Sequence, residues 1–288
     1  MSLSVANPQI LIHNINMKKI YTFLIAILAL VLIFTACATN PFTGQRQMAL
    51  ISNAQLFPMA LAQYEEFISE NTVVTGTPEA EMIERVGLRM VAAAQRLLTH
   101  YGSPNHFDDY NWRFTLVHDD AINAWVLPGG KIVFYTGILP VTQNEAGIAV
   151  VMGHEIAHAI LDHGQQRMSA GMLQQLGAMG VSLATANQSP EAQALIMTAF
   201  GVGSALGGTL PFSRQHEREA DKWGLILMAI AGYHPEEAVA FWERMSAAGG
   251  GGVPEFLSTH PSSPNRARDL RNNIPTAMQY AARFGVTF

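Results

Sequence analysis

The sequence contains His154, Glu155 and His158 in the order His-Glu-x-x-His, within a stretch whose apolar residues have helical spacing. Residues i and i+4 lie one turn apart on the same face of a helix, so both imidazoles could bind a single ion. Imidazole and carboxylate ligands favour zinc, which lowers the pKa of a water ligand to about 7. Glu155 stands beside the first histidine and could accept a proton from that water. The motif therefore predicts metal-assisted hydrolysis.

The helix predicted to carry this motif, Asn144 to His163, is mostly apolar and is therefore expected to be buried. Two histidines and a glutamate inside such a helix cost several kcal/mol unless they have a partner. A metal ion supplies that partner, whereas two hydrogen-bonded core histidines are the alternative interpretation. We expect one zinc ion per chain at this position.

A catalytic zinc site needs a third protein ligand, and three acidic residues further along the chain are candidates. Glu217, Glu219 and Asp221 lie in a charged segment that spans residues 213–224. Glu217 and Asp221 are four residues apart and share a helix face, where one could bind the metal while the other accepts the N–H of a liganding imidazole. The spacing does not choose between them, and alone the segment would fit a solvated charged turn.

The two motifs together resemble the gluzincin peptidase family of HtpX, Oma-type proteases and CAAX prenyl proteases. Within this family the sequence is most similar to the periplasmic BepA- and LoiP-like lipoprotein branch. Further segments agree with the resemblance, namely Asn40 to Gly44, Asn123 to Trp125, Pro128 to Gly130, and Ser258 to Pro261 followed by Arg266. The similarity extends from about residue 37 to the C-terminus.

The resemblance implies a role for each residue of the motifs. The implied zinc ligands are His154, His158 and Glu217, and the implied catalytic base is Glu155. Asp221 falls on an aspartate that lies one turn beyond the third ligand and supports the site from behind. His260 matches a loop histidine that either approaches the zinc as a further ligand or stabilises the transition state.

Apolar periodicity predicts helices at residues 52–69 and 78–101, and alternation predicts strands at residues 112–117 and 131–135. Together with the resemblance, this pattern predicts an α+β fold, a mostly helical zincin-like metalloprotease domain with a small β-sheet. The edge strand of that sheet is expected to border the active-site cleft and to bind an extended substrate through its main chain. We assign this role to Lys131, Ile132, Val133, Phe134 and Tyr135.

Residues 171–210 are rich in Ala, Gly, Leu and Met and predict a helical hairpin. Its arms, Met172 to Ala186 and Ala192 to Leu210, are separated by a polar turn that ends in Pro190. Each arm is short for a membrane span and contains several glycines. We expect the hairpin to lie against the catalytic domain or to touch a membrane surface.

The N-terminal region has the pattern of a secretory signal. Lys18 and Lys19 precede a charge-free apolar run at residues 20–36, which ends in small residues directly before Cys37. This order resembles a bacterial lipobox, in which the cysteine is acylated after cleavage. An uncleaved membrane anchor is the alternative, because 17 apolar residues are just long enough to span a bilayer. Both interpretations place the rest of the chain outside the cytoplasm.

The chain therefore divides into a signal peptide at residues 1–36, a lipid-anchored linker at residues 37–51 and a zinc metallopeptidase domain at residues 52–288. Residues 1–16 precede Met17, where the signal begins, and are interpreted as an over-long gene start. Ala38 follows the cysteine, as in lipoproteins that are sent to the outer membrane of diderm bacteria. We expect an outer-membrane lipoprotein on the periplasmic face of the cell envelope.

The composition excludes several other classes of protein. One cysteine among 288 residues excludes an internal disulfide framework and a zinc site made of several thiolates. A net charge of -5 without a long basic run argues against a nucleic-acid partner.

The sequence as a whole predicts a zinc-dependent metalloendopeptidase of the cell envelope that cleaves unfolded or misassembled proteins. Its expected partners are these polypeptides, the membrane that holds its lipid anchor, and the envelope assembly machinery. Two alternatives are open. One is an assembly factor or chaperone that binds envelope proteins through the apolar hairpin with little proteolysis, and the other is a zinc-stabilised structural domain. Glu155 argues against binding alone, which would not require it.

Overall fold

The structure is a computed structural model that describes residue 20 and residues 37–40, 42–248, 254–260 and 265–288, apart from the side chains of residues 37, 206, 211 and 212. The predicted signal peptide lies outside the described residues except for Ile20. Within the described ranges the chain forms a mostly helical domain around a small mixed sheet, which confirms the predicted α+β class.

The described ranges hold ten α-helices and six β-strands. The helices are α1 (Asn53–Glu70), α2 (Pro78–His100), α3 (Leu139–Thr142), α4 (Glu145–Ile160), α5 (His163–Ala184), α6 (Pro190–Ser204), α7 (Leu210–Ile230), α8 (Glu237–Ala247), α9 (Glu255–Thr259) and α10 (Arg266–Arg283). The strands are β1 (Cys37–Thr39), β2 (Arg46–Met48), β3 (Val73–Val74), β4 (Arg113–Val117), β5 (Ala124–Leu127) and β6 (Lys131–Tyr135). A π-helical turn, Ala205–Thr209, joins α6 to α7.

Helix α4 carries the predicted metal motif through the centre of the domain. Asn144 caps its N-terminus by accepting a hydrogen bond from the Gly147 N–H, and every residue from Gly147 to Ile160 is buried. Helix α7 crosses α4 at Gly153 and Gly224. The backbones are so close there that a Cβ atom on Gly153 would lie only 2.7 Å from the Gly224 carbonyl oxygen. The two glycines let the backbones approach closely enough for side chains of α7 to reach the motif.

Helix α2 packs against the other side of α4. The Thr77 side chain accepts a backbone hydrogen bond at its N-terminus, and Pro78 occupies the first turn, as the sequence predicts. Its apolar face includes Val86 and Met90, which are fully buried in the same core cluster as α4. The metal motif is therefore held between two long helices.

The small sheet has the strand order β3-β4-β6-β5, and the prediction that Lys131–Tyr135 is an edge strand is wrong. This strand, β6, is interior: it pairs in parallel with β4 and antiparallel with β5, and all five of its residues are buried. The sequence analysis missed β5, which forms a hairpin with β6 through a turn in which Gly129 and Gly130 have positive φ. Strand β5 therefore takes the edge of the sheet, where it packs against α4.

Helices α5 and α6 form a helical hairpin in the region where the sequence predicts one, and a turn at residues 185–189 connects them. Helix α5 begins earlier than expected, at His163, and α6 continues through the π-helical turn into α7. By length and composition, the continuous helix Pro190–Ile230 is the one helix of the described ranges that could cross a membrane. None of its most apolar window is buried inside the protein.

Two helix boundaries differ from what local sequence preference favours. Helix α4 ends at Ile160 because Asp162 adopts a left-handed conformation with φ 54, so His163 starts a new helix in another direction. The C-terminal helix α10 continues across Pro275, although a proline inside a helix favours a break. In both places the tertiary packing overrides local preference.

Candidate zinc centre

Three side chains from two helices converge in the buried centre of the domain. His154 Nε2 lies 3.1 Å from His158 Nε2 and 3.1 Å from Glu217 Oε2, and His158 Nε2 lies 3.4 Å from Glu217 Oε1. All three side chains are at most 3% exposed. The i, i+4 spacing on α4 presents both imidazoles on one face, and the close crossing of α7 brings the carboxylate to them.

These residues fit a zinc ion. With Zn–N bonds of about 2.0–2.1 Å and tetrahedral angles, neighbouring donor atoms lie about 3.3 Å apart, which matches the separations in the structure. Once both imidazoles are neutral, their nitrogen lone pairs and the carboxylate oxygens of Glu217 repel one another at this distance, and a cation between them removes the repulsion. Imidazole and carboxylate are also the donor types that zinc accepts.

His260, which directly follows α9, provides a fourth donor. Its Nδ1 lies 3.2 Å from both His154 Nε2 and Glu217 Oε2, and the donor atoms of all four residues lie within 4.8 Å of one another. The ring stacks on Phe256 with ring centres 4.5 Å apart. This position would let Nδ1 of His260 serve as a further metal ligand, one of the two roles expected for this residue.

Glu155 is fully buried beside these donors. Neither of its carboxylate oxygens accepts a hydrogen bond from the part of the chain that the structure describes, and His260 Nε2 lies 3.4 Å from Oε1. Burial raises the pKa of Glu155, and the nearby His260 and His154 act in the opposite direction. A raised pKa brings the carboxylate closer to neutral pH, where a general base is most effective. A buried carboxylate without a hydrogen-bond donor is costly and indicates a functional group.

Asp221 supports His154 from behind, as the resemblance implies. Its Oδ1 lies 3.0 Å from His154 Nδ1 and accepts a hydrogen bond of 2.5 Å from Arg266 Nη2. The buried Arg266 guanidinium lies 3.4 Å above the centre of the Trp242 ring. Because Nε2 of His154 would bind the metal, the ring proton lies on Nδ1. The Nδ1–H group donates a hydrogen bond to Asp221, which fixes the orientation of the ring.

His158 is supported by a longer chain of side chains, which the sequence analysis missed. His163 Nδ1 lies 2.8 Å from His158 Nδ1, and His163 Nε2 lies 3.2 Å from Glu219 Oε2. The N–H of His158 therefore donates to His163, whose own N–H donates to Glu219. The His216 ring stacks on His163 with ring centres 3.9 Å apart. Each zinc-binding imidazole thus has a carboxylate behind it, one directly and one through a second histidine.

The sequence patterns assign no role in the site to these two histidines. His163 ends the predicted motif helix, whereas in the structure both side chains are buried behind His158. The left-handed turn at Asp162 brings His163 back under His158, which helical spacing does not reveal. The available signal was the density of histidine and carboxylate residues around the two motifs.

Burial and neighbouring charges shift the pKa values of the candidate zinc ligands. Burial alone would raise the pKa of Glu217, but His158, His154 and His260 hold it far below its usual value. Burial lowers the pKa of His158 well below its usual value, so this imidazole is neutral. Burial also opposes protonation of His154, yet its hydrogen bonds with Asp221 and Glu217 raise its pKa to about 9 when no metal is bound. Zinc binding must therefore displace a proton from His154.

The Asn40–Gly44 motif connects the N-terminal segment to the end of α4. The buried Asn40 donates a hydrogen bond of 3.0 Å to the Ile160 carbonyl oxygen, and its Oδ1 accepts from two backbone N–H groups of the motif. Asp162 accepts a hydrogen bond of 2.9 Å from Gln47, and burial raises the pKa of this carboxyl group. Asp162 is therefore half-buried and held by hydrogen bonds from the N-terminal segment.

The segment around β5 links the sheet edge to the site. The buried Asn123 donates a hydrogen bond of 2.9 Å to Glu255, the first residue of α9, which leads to His260. Trp125 donates to the Tyr135 hydroxyl at 3.2 Å and packs within the sheet, in line with the structural role expected for it. Lys131 is buried and donates to two main-chain carbonyl oxygens, so it is not free to contact a substrate.

Comparison with known proteins gives a consistent result. Residues 79–274 match Peptidase family M48. The chain is 33% identical over 250 residues to the mitochondrial metalloendopeptidase OMA1 of Schizosaccharomyces pombe, and this match covers 85% of the chain and 68% of the relative. It is 30% identical over 288 residues to the human metalloendopeptidase OMA1, mitochondrial, and the match covers 94% of the chain and 53% of the relative. It is 31% identical over 198 residues to the beta-barrel assembly-enhancing protease of Escherichia coli, and the match covers 67% of the chain and 38% of the relative.

The chain thus spans between about a third and two thirds of the length of these relatives. The matched family region contains the His154–His158 motif, Glu217, Asp221 and His260. The donor set fits zinc, which M48 metallopeptidases use. From the buried donor group and these similarities we conclude that the chain belongs to Peptidase family M48, the family of zinc metallopeptidases that the sequence motifs resemble.

Proposed function

We propose that this metallopeptidase hydrolyses peptide bonds within unfolded or misassembled proteins of the cell envelope. The observation that carries the proposal is the convergence of His154, His158 and Glu217 on one point, with the carboxylate of Glu155 beside it. A zinc-stabilised structural domain would gain nothing from a buried carboxylate that has no hydrogen-bond donor in the described ranges.

The mechanism assigns one task to each side chain of the site. His154, His158 and Glu217 would hold zinc, which polarises the scissile carbonyl and activates water. Glu155 accepts a proton at its carboxylate and later donates it to the leaving amine. His260 must leave its position among the donors before water and substrate can enter. Its imidazole N–H would then donate to the developing oxyanion.

The substrate would bind along β5 rather than along β6. Strand β5 has a partner on one side only among the described strands, and it packs against the helix that carries the motif. An extended polypeptide can add to such an edge through main-chain hydrogen bonds, which require little sequence preference. Only unfolded segments can adopt that conformation, which supports a role in protein quality control.

The proposed location on the periplasmic side of the cell envelope depends on the N-terminal sequence. Lipidation of Cys37 after removal of residues 1–36 would tether the domain, and β1 begins at this residue. The name of the Escherichia coli relative, a beta-barrel assembly-enhancing protease, supports an envelope role in contact with assembly machinery. The mitochondrial relatives support the peptidase activity without this location.

A second candidate function is assistance in envelope-protein assembly without cleavage. The exposed apolar hairpin favours it, because apolar surface of this extent could bind unfolded chains. The two functions separate in a Glu155→Gln variant, which should lose hydrolysis but retain any assembly activity.

The substrate class can be tested with one outer-membrane β-barrel protein offered in two states. We expect the zinc-loaded enzyme to cleave the urea-unfolded barrel rapidly after dilution and to leave the same barrel intact once it is folded in detergent. Casein serves as the positive control for activity. Equal cleavage of the folded and unfolded barrel would contradict the proposed selectivity.

A further inference from the structure

We propose that the hairpin formed by α5 and α6 inserts into a lipid bilayer. Much of the apolar surface of the hairpin faces outwards, and two of its glutamines, Gln174 and Gln193, form hydrogen bonds across the two arms. Nine of the fifteen large hydrophobic side chains that are exposed in the described ranges lie between residues 168 and 210. The proposal concerns this surface alone and holds whether or not the proposed substrate class is correct.

Helix α5 exposes a continuous apolar stripe. Met168, Met172, Leu176, Met179 and Leu183 follow one another at intervals of three or four residues, and their exposed fractions rise from 41% at Met168 to 73% at Leu183. Such spacing places all five side chains on one face of the helix. A helix in water turns this face to the core, whereas here it points away from the domain.

Helix α6 exposes apolar residues in the same manner. Leu195, Ile196 and Val202 are exposed, and the helix has no buried residue in the structure. Where the two arms meet, Gly177 and the hydrogen-bonded pair Gln174 and Ser204 lie beside the apolar Leu173 and Phe200. A Cβ atom on Gly177 would lie 2.9 Å from the Phe200 ring, so glycine is needed at this position. Small residues at a helix contact are typical of helix packing within membranes.

Several polar side chains of the hairpin form hydrogen bonds within it. Gln174 Nε2 donates to Ser204 Oγ at 3.0 Å, across the two arms, and Gln193 Nε2 donates to the Ser182 carbonyl oxygen at 3.3 Å. Thr198 donates back to a carbonyl oxygen of its own helix. A hairpin in water has no need to satisfy its glutamines internally, whereas a hairpin in hydrocarbon does.

The charge distribution matches a bilayer in the same way. Between residues 168 and 213 the only charged residue is Glu191, which follows the turn at the far end of the hairpin. Arg167 and Arg214 flank the apolar segment at its base, where both are exposed. Arginines at the ends of apolar helices bind the phosphate groups of lipids.

The dimensions of the hairpin and the path of the chain agree with insertion. Residues 190–209 of the second arm would span about 30 Å, the thickness of the hydrocarbon layer. The apolar run at residues 20–36 ends just before β1, and Met48 of β2 lines an apolar groove with Leu173 near the base of the hairpin. The N-terminal anchor, whether lipid or peptide, therefore joins the domain beside the hairpin and would hold both against the same membrane.

Insertion can be tested by labelling the outer face of the hairpin in the full-length chain. A Leu183→Cys variant, made together with Cys37→Ser, carries an NBD fluorophore and is reconstituted into phosphatidylcholine–phosphatidylglycerol vesicles. Doxyl groups on the lipid chains serve as quenchers. We expect blue-shifted NBD emission and about threefold stronger quenching than for a label at the exposed Arg268 of α10, because only the hairpin contacts lipid chains. A label at Leu195 on the second arm should give the same result.

Each labelled variant must bind zinc at the wild-type stoichiometry, which shows that the domain is folded. Equal, weak quenching at Leu183, Leu195 and Arg268 in membrane-bound protein would overturn the proposal. It would also be overturned if the emission at Leu183 shifts in lipid-free buffer as protein concentration rises, which indicates a second copy, or on addition of unfolded casein, which indicates a polypeptide partner.

Discussion

Replacement of His163 by leucine tests how the structure holds the zinc-binding imidazole of His158. The side chain of His163 accepts a hydrogen bond from the N–H of His158 at 2.8 Å and donates its own N–H to Glu219 at 3.2 Å. Leucine has a similar size but offers no acceptor, so the N–H of His158 would remain buried without a partner. The donor atoms themselves are unchanged in this variant.

The expected loss follows from the burial of both rings, which are at most 1% exposed. A buried donor that loses its partner costs about 1–3 kcal/mol, which corresponds to a loss of about 10–100-fold in metal affinity. His163→Gln should recover much of this loss, because the glutamine carbonyl oxygen can accept from His158 and its amide can donate to Glu219. Rescue by glutamine distinguishes hydrogen bonding from a general packing role.

The assay is competition for zinc between the protein and a chromogenic chelator of known affinity. His234→Leu serves as the matched control, because His234 is exposed and remote from the site. A second readout is the visible spectrum of the cobalt-substituted protein, which reports the orientation of the ligands. If His163→Leu binds zinc as tightly as His234→Leu does and the cobalt spectrum is unchanged, the support of His158 by His163 is refuted.

Four further predictions follow from the same geometry. Gly224→Ala should destabilise the domain by about 1–3 kcal/mol and weaken zinc binding, because the new methyl group forces α7 away from α4; thermal unfolding of the metal-free and zinc-loaded protein measures both effects. Asp221→Asn should weaken zinc binding, since the amide serves His154 less well than a carboxylate; a normal affinity in chelator competition would count against this. His260→Ala should shorten zinc retention in excess chelator while the zinc stoichiometry stays the same; unchanged retention would show that His260 is not a ligand at rest. Zinc affinity should rise about tenfold per pH unit from pH 7 to 9 and level off above pH 9, because zinc must displace the proton that His154 binds below its pKa of about 9; calorimetry in buffers of different ionisation enthalpy measures the released proton, and an affinity independent of pH would refute the assignment.

The sequence predicts the elements that local patterns determine. The motif His154–His158 requires a helix to place its imidazoles together, and the structure has that helix. The i, i+4 spacing also identifies Glu217 and Asp221 as a pair, although the residues alone do not say which of them faces the metal. The structure places Glu217 beside Nε2 of His154 and Asp221 beside its Nδ1, in agreement with the family resemblance.

The remaining features depend on contacts between distant segments. The edge position of the sheet could not be read from β6, because a run of apolar residues such as Ile132 to Phe134 fits an edge strand or an interior strand until its neighbour, β5, is known. His163 and His216 become part of the site only through the left-handed turn at Asp162 and the course of α7. The contact of the Arg266 guanidinium with the Trp242 ring likewise joins two helices, α10 and α8, and no sequence pattern predicts that they meet.

For the hairpin, the structure shows which side chains are exposed, whereas the sequence gives only their composition and helical spacing. The run of Ala, Gly, Leu and Met predicts helices without telling which face is covered. The structure shows the apolar stripe from Met168 to Leu183 on the outside and the hydrogen bond between Gln174 and Ser204 on the inside. That arrangement favours lipid over a protein core.

The central claim, that this chain is a zinc-dependent peptidase in which Glu155 transfers the proton, is tested most directly by one paired measurement. Zinc content and casein hydrolysis are determined for the wild-type protein and for Glu155→Gln, which has the same size and lies outside the set of metal ligands. We predict about one zinc ion per chain in both proteins, with hydrolysis in the wild type and its loss in Glu155→Gln. Full hydrolysis by a zinc-loaded Glu155→Gln protein would contradict the mechanism.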